Sequence, residues 1–197
     1  STIGQVARNL HKKDLPNTKV VQLIGGLGTS SDYNPYNLVQ SVSERLGAKG
    51  IYFTGPAFVA NPDVLQAMAV ENSMAGFPEL WKKCKLCLVG LGTCEPNTPF
   101  VRSGLIDKED LRQVCELGAV GDLLGRYYGI DGKIIHTRLH DRVNAIPIEI
   151  LKDIETIIVV AGGLNKVGAI IGASRMKLPL TLITDDATAR AVLTSGF

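Results

Sequence analysis

Apolar runs that end in glycine or a polar turn recur along the chain, spaced far enough apart to leave room for a helix between them. VVQLI at 20–24 precedes Gly25 and Gly26, IYF at 51–53 precedes Thr54-Gly55-Pro56, and LCLVGL at 86–91 precedes Gly92 and Thr93. Two more follow, TIIVVA at 156–161 before Gly162 and Gly163, and LTLIT at 180–184 before Asp185 and Asp186. Near-continuous hydrophobicity over runs this short predicts strands covered on both faces. The stretches 37–46, 62–69, 108–116, 166–174 and 187–193 instead carry apolar residues at helical spacing. Strands alternating with helices predict an α/β fold: a Rossmann-like, mostly parallel, doubly wound sheet flanked by helices. Ligands bind such sheets at the carboxyl ends of the strands, where the glycine turns converge. Residues 1–18 read as peripheral, and 129–147, which contains His136, Arg138, His140, Asp141 and Arg142, reads as a hairpin or excursion from the sheet.

Composition narrows this picture. A chain of 197 residues, 45% hydrophobic, is long enough to bury a sizeable core and is read as one domain over 1–197. Charged residues make up 20% and the net charge is +2, which excludes a disordered chain and argues against direct contact with nucleic acid. No apolar stretch reaches the length of a membrane span, and Ser1-Thr2-Ile3-Gly4 does not resemble a leader, so a soluble, cytoplasmic domain is expected. The missing initiator Met suggests an excised fragment or a processed start. Cys84-Lys85-Leu86-Cys87 invites a metal or redox reading, but no second pair supplies the other ligands. The four cysteines, Cys84, Cys87, Cys94 and Cys115, are too few for a disulfide scaffold and are read as packed thiols.

Several turns carry candidate chemistry. GGLGTSS at 25–31 is neither a Walker loop nor a dinucleotide fingerprint, yet Gly26 and Gly28 permit close backbone approach while Thr29 and Ser30 offer hydroxyls, a pattern suited to a phosphate or polyol. Gly92 and Thr93 form a second such turn, although Thr93 alone also reads as a helix cap. Asp122 lies in the apolar run AVGDLLG at 119–125, read as helical, where an unpaired carboxylate is costly to bury. It either accepts from a ligand hydroxyl, pairs with Arg126 at i+4, or caps a helix. Lys166 follows the Gly162-Gly163 turn and opens a helix, a place suited to phosphate as well as to an ordinary solvated lysine. Arg102 is a second candidate cation, and His136 and His140 read as surface or interface residues.

The segments GAVGDLLGRY at 118–127, DRV at 141–143, VAGG at 160–163 with Lys166, and ITDDATAR at 183–190 together resemble the sugar-binding domain of SorC-type transcriptional regulators over nearly the whole chain. The resemblance implies a fold similar to that of glucosamine-6-phosphate deaminase, ribose-5-phosphate isomerase and the CoA transferase-like proteins. It also implies an effector that is a sugar, sugar alcohol or sugar phosphate, no cofactor, assembly as a homodimer or homotetramer, and DNA contact only through an amino-terminal helix-turn-helix domain. Carried over residue by residue, Gly26, Gly28, Thr29, Ser30, Asp122 and Lys166 fall on ligand-contact positions, joined here by Gly92, Thr93, Arg102, Gly162 and Gly163 at the neighbouring turns. YFTGPAF at 52–58 lacks an arginine that some phosphate-binding members place there, so a neutral polyol is equally open. The competing expectation is a sugar-phosphate isomerase or deaminase with Asp122 as base. A shared fold does not transfer activity, and the acid, base and histidine set of those enzymes is not evident.

Overall fold

The computed structural model describes residues 2–28, 34–70 and 72–195. In chain order the elements are α1 (Thr2–Asn9), β1 (Lys19–Val21), α2 (Pro35–Leu46), β2 (Lys49–Ile51), α3 (Pro62–Val70), α4 (Asn72–Ala75), α5 (Phe77–Lys82), β3 (Leu86–Val89), β4 (Gly92–Thr93), α6 (Pro99–Arg102), α7 (Lys108–Glu116), β5 (Ala119–Leu123) and β6 (Arg126–Gly129). A 3-10 turn (His140–Arg142), α8 (Ile148–Lys152), β7 (Thr156–Val160), a second 3-10 turn (Leu164–Lys166), α9 (Val167–Ser174), β8 (Leu180–Ile183) and α10 (Asp186–Thr194) complete it.

All five glycine-terminated or turn-terminated runs become strands, and they pair in parallel. β1 lies beside β2, while β7 lies between β3 and β8 with Ile157, Ile158 and Val159 facing Cys87, Leu88 and Val89 across the ladder. A mixed α/β fold with parallel strands and flanking helices therefore holds. The parallel strands form two separate ladders, however, and a third, antiparallel ladder joins β4, β5 and β6.

That third ladder corrects the helical reading of 119–125. A short apolar run has no periodicity that separates strand from buried helix. The turn decides: Leu124 and Gly125 both have positive φ, 52° and 80°, the two-residue geometry that returns a chain directly into an antiparallel hairpin. Two elements also escape the periodicity. These are the short helices α4 and α5, and α5 carries Phe77 and Trp81 at i and i+4 into an aromatic cluster with Phe53, with ring centroids 4.8–5.5 Å apart. The Trp81 indole N–H donates to the Gln22 carbonyl at 2.9 Å and ties this helix to the end of β1. The first eighteen residues are more than peripheral, since α1 docks on α2 with Ala7 buried.

Two cores follow from this arrangement. One surrounds β3 and β7 and includes Val89, Ile157, Val159, Leu123, Tyr128 and the inner face of α9; the other gathers Phe58, Leu111, Val114, Tyr127, Leu139 and Val143. The region 129–147 crosses between them as the predicted excursion, pairing Val143 with Phe58 and Ala145 with Ile24 in isolated bridges. Buried Asp110 fastens it, accepting from Arg138 Nε at 2.6 Å and from Arg142 Nη1 at 3.2 Å.

α9 lies close against the hairpin because small residues face it. A Cβ at Gly172 would come within 2.7 Å of the Gly129 carbonyl and 2.9 Å of both Tyr128 and Val120. The Tyr128 hydroxyl donates to the Ala169 carbonyl at 2.9 Å across the same contact. Replacing a mid-helix Gly by Ala normally gains about 1 kcal/mol, whereas forcing a methyl into a packed contact costs about 1–3 kcal/mol. The close neighbours include a backbone carbonyl, so the clash wins. Gly172→Ala is expected to lower unfolding stability by about 1–2 kcal/mol in urea titrations, while Gly168→Ala, whose Cβ would meet Val120 at an ordinary 3.7 Å, is expected to be neutral or stabilising.

Candidate ligand-binding site

The carboxyl end of β3 turns through Gly90 and Leu91 into β4, and β4 pairs with β5 so that Gly92 lies opposite Asp122 and Thr93 opposite Gly121. This register sets the Asp122 carboxylate directly over Gly92. Any Cβ there would collide with the carboxylate, whose Cγ would be only 2.6 Å away. Asp122 is 5% exposed, and its Oδ2 accepts from the Gly125 N–H at 2.9 Å. Burial pushes its pKa up from the ordinary value of 3.8 to about 6, against the opposing pull of the Gly125 bond and of the positive charge on Lys166. Arg126 is not its partner. The hairpin places Arg126 opposite Leu123, and its guanidinium donates to the Ala145 carbonyl at 3.3 Å.

Lys166 closes the 3-10 turn that follows β7 and leads into α9, and its ammonium donates to the Leu91 carbonyl at 2.7 Å. The cation is thereby held at the end of β3, on the turn that delivers Gly92 beneath Asp122. Gly163 makes this possible, since its φ of 105° is one that side-chain-bearing residues rarely adopt. Its N–H donates to the Asp185 carboxylate at 3.0 Å and to the Thr188 hydroxyl at 2.8 Å. Asp185 simultaneously caps α10, accepting from the Thr188 N–H at 2.8 Å and from its hydroxyl at 2.7 Å. These bonds hold the Asp185 carboxyl below its ordinary pKa, the Thr188 hydroxyl bond contributing most. A Cβ at Gly162 would lie 2.7 Å from Asp185 Oδ2, so that glycine too is set by the cap. Asp185 and Thr188, within the segment ITDDATAR, hold the site in place without being among its candidate contacts in the sequence. The Asp-x-x-Thr spacing of an N-cap was the available signal.

The remaining candidates separate. Gly26 pairs its backbone with the 55–57 loop, donating to Gly55 O at 2.8 Å and accepting from Ala57 N–H at 2.9 Å, so its amide supports the turn. Gly28 follows with φ 69°. Thr29 and Ser30 lie outside the described residues. Thr93 is buried in β4 and does not cap a helix. Arg102 is exposed at the end of the four-residue helix α6. Structure thus brings together Asp122, Gly92, Thr93, Gly162, Gly163 and Lys166, at the carboxyl ends of β3 and β7. His136 is exposed and stacks obliquely on half-buried His140, with ring centroids 4.4 Å apart.

The cysteines need one correction. Cys94 and Cys115 form a disulfide with a Cα–Cα distance of 5.8 Å, whereas Cys84 and Cys87 are free. Burial pushes the Cys87 thiol up to about 12, with Cys84 beside it adding to the shift.

Residues 1–194 match the family described as "Putative sugar-binding domain". The chain belongs to that family. It is 28% identical over 175 residues to the erythritol catabolism regulatory protein EryD of Brucella abortus, covering 89% of this chain and 55% of EryD. It is 30% identical to the deoxyribonucleoside regulator of Bacillus subtilis, covering 98% of this chain and 62% of that protein. The chain thus spans a little over half the length of these curated relatives. The crystal structure of the full-length sorbitol operon regulator SorC from Klebsiella pneumoniae superposes with a TM-score of 0.89 at 22% identity, over 97% of this chain and 63% of that one. A structure described as "a domain of a possible sugar-binding transcriptional regulator" from Arthrobacter aurescens TC1 superposes at 0.85 with 25% identity, over 98% and 75%. These curated relatives are named as regulators rather than as isomerases or deaminases.

A carboxylate with a raised pKa destabilises the fold when it is ionised. Between the unfolded value near 3.8 and the folded value near 6 the native state holds the extra proton, so stability falls as pH rises through this window and the penalty is complete above it. A rise from 3.8 to about 6 corresponds to about 3 kcal/mol. Asp122→Asn keeps the shape without the charge. It is expected to unfold at a higher temperature than the parent at pH 8, with the gap closing as pH falls to 4; a gap independent of pH contradicts a buried, ionisable Asp122.

Proposed function

We propose that this chain is the effector-binding domain of a bacterial DNA-binding regulator of carbohydrate metabolism, taking a sugar, sugar alcohol or sugar phosphate between Asp122 and Lys166. The observation that carries the reading is a buried carboxylate, Asp122, retained without an ion-pair partner at hydrogen-bonding distance among the described residues, beside a lysine whose charge it feels. An arrangement that costs stability and is kept at a strand end is the signature of a binding group. An ionised carboxylate accepts from vicinal hydroxyls, and an ammonium with three donors serves phosphate or hydroxyl alike. Thr93, Gly92, Gly162 and Gly163 line the same strand ends, Gly28 and Arg102 are assigned to the rim, and Thr29 and Ser30, outside the described residues, are kept as ligand contacts on the resemblance alone. The turns of Gly26 and Gly162 are then framework rather than contact.

The finer fold assignment, kinship with the glucosamine-6-phosphate deaminase, ribose-5-phosphate isomerase and CoA transferase-like proteins, is supported by parallel strands whose carboxyl ends carry the polar groups. In the intact protein a helix-turn-helix domain on the amino-terminal side reads the operator, and homodimers or homotetramers present two such heads to two half-sites. Occupancy shifts the assembly between states through differential affinity, without a chemical step or a cofactor. The setting is the cytoplasm.

Thermal unfolding against erythritol, sorbitol, deoxyribose and their phosphates tests this. At a hundredfold excess over Kd a ligand adds about 2.7 kcal/mol, hence a rise of about 5–10 °C. Asp122→Asn is expected to abolish the shift for every ligand while leaving the protein folded, and Lys166→Met to abolish it for phosphates. A shift that survives both substitutions overturns the assignment of the site.

A further inference from the structure

We propose that Cys94 and Cys115 form a thiol–disulfide exchange site for low-molecular-weight disulfides, whose closure pins the β4–α6 loop beside the crevice. The two cysteines are 21 residues apart, and only the fold brings them together: Cys94 follows Thr93 directly, and Cys115 lies in the last turn of α7. Both are half-buried, as is Cys84, so a small reagent reaches them, whereas Cys87 is fully buried and closed to it; burial also raises the pKa of both Cys84 and Cys87. The pair marked by its C-x-x-C spacing is therefore the inert one.

The chemistry is balanced by two thiolate attacks. Cys94 Sγ, as thiolate, attacks a sulfur of a disulfide RSSR, forming a mixed disulfide and releasing RS⁻. Cys115 then loses its proton and attacks Cys94 Sγ, expelling the second RS⁻. Two protein thiols and one RSSR become one protein disulfide and two RSH, and excess RSH runs the sequence backwards. Cys94 is the better first nucleophile, because the last turn of α7 is the negative end of a helix and Glu116 follows Cys115. Disulfides in a thiol-rich compartment are mostly transient and redox-sensing, which suits an exchanging pair better than a structural staple.

The position gives the bond its consequence. The loop after Cys94 is held on one side by the disulfide to α7. On the other side Glu95 Oε1 accepts from the Asn165 amide at 2.9 Å, and Asn165 is the neighbour of Lys166. Reduction removes the first tether and leaves the second. Its bearing on effector affinity rests on the ligand-binding reading above; the covalent site and the pinned loop do not.

The experiment therefore uses no sugar. The full chain is reduced, freed of reductant and incubated with oxidised glutathione, then followed by intact mass, thiol counting, peptide mapping and amide hydrogen exchange. Expected are a mass loss of two hydrogens, a fall from four free thiols to two, a cross-linked peptide pair containing Cys94 and Cys115, and slower exchange across residues 93–98. The oxidised form should also melt roughly 5–10 °C higher, as closing a loop of this length predicts. Cys115→Ser should stop at a stable glutathione adduct on Cys94. Four free thiols after incubation, a bond to Cys84 or Cys87, or a Cys94–Cys115 bond that leaves exchange at 93–98 unchanged each overturn the proposal.

Discussion

A buried carboxylate organises this domain. Asp122 occupies space that only a glycine at 92 leaves open, and that glycine is delivered by the turn at the end of β3. Burial without an ion-pair partner at contact distance costs the fold about as much as a good hydrogen bond or two contributes. The hairpin compensates locally through the Gly125 amide, and Lys166 compensates at longer range by its charge. What remains is a carboxylate whose ionisation the fold resists, and on the proposed reading a ligand hydroxyl would offset that cost.

The lysine is placed by a separate chain of constraints. β7 is followed, after Ala161, by two glycines, the second bent into a conformation open to glycine, and the Asp185–Thr188 cap of α10 locks that bend with two bonds to one amide. Lys166 then reaches back to the Leu91 carbonyl, so the ends of β3 and β7 are joined by the side chain that carries the charge. α9, which begins immediately afterwards, is pressed onto the Asp122 hairpin by the absence of a side chain at Gly172. Helix packing and the position of the two charged groups are thus one problem rather than two. The cysteine pair adds a covalent link from the same turn to α7, on the far side of the Glu95–Asn165 contact.

Much of this was open to reading from the residues. The five apolar runs and their terminal turns gave the parallel strands, because continuous hydrophobicity in four or five residues has few other structural meanings when it alternates with helical periodicity. Asp122 and Lys166 stood out by the cost of a carboxylate in an apolar run and by the place of a lysine after a glycine turn. Both arguments are local, and chain neighbours suffice for them. Other elements were less legible for the same reason: α4 and α5 are too short to show a period, and 119–125 has the same composition as a buried helix.

Tertiary structure alone decided the rest. Whether AVGDL is strand or helix depended on the positive φ angles of Leu124 and Gly125, and so on what the returning strand could pair with. Pairing of Cys94 with Cys115, rather than Cys84 with Cys87, depended on α7 ending beside β4, a proximity across 21 residues that spacing does not encode. That Gly26 supports a turn, and that Asp185 and Thr188 lock Gly163, follows from contacts between distant segments. The sequence by itself determined which residues are costly to bury and which runs must be covered. Only the folded chain determined which of them meet, because side-chain partnership is a property of distances between segments and not of their order.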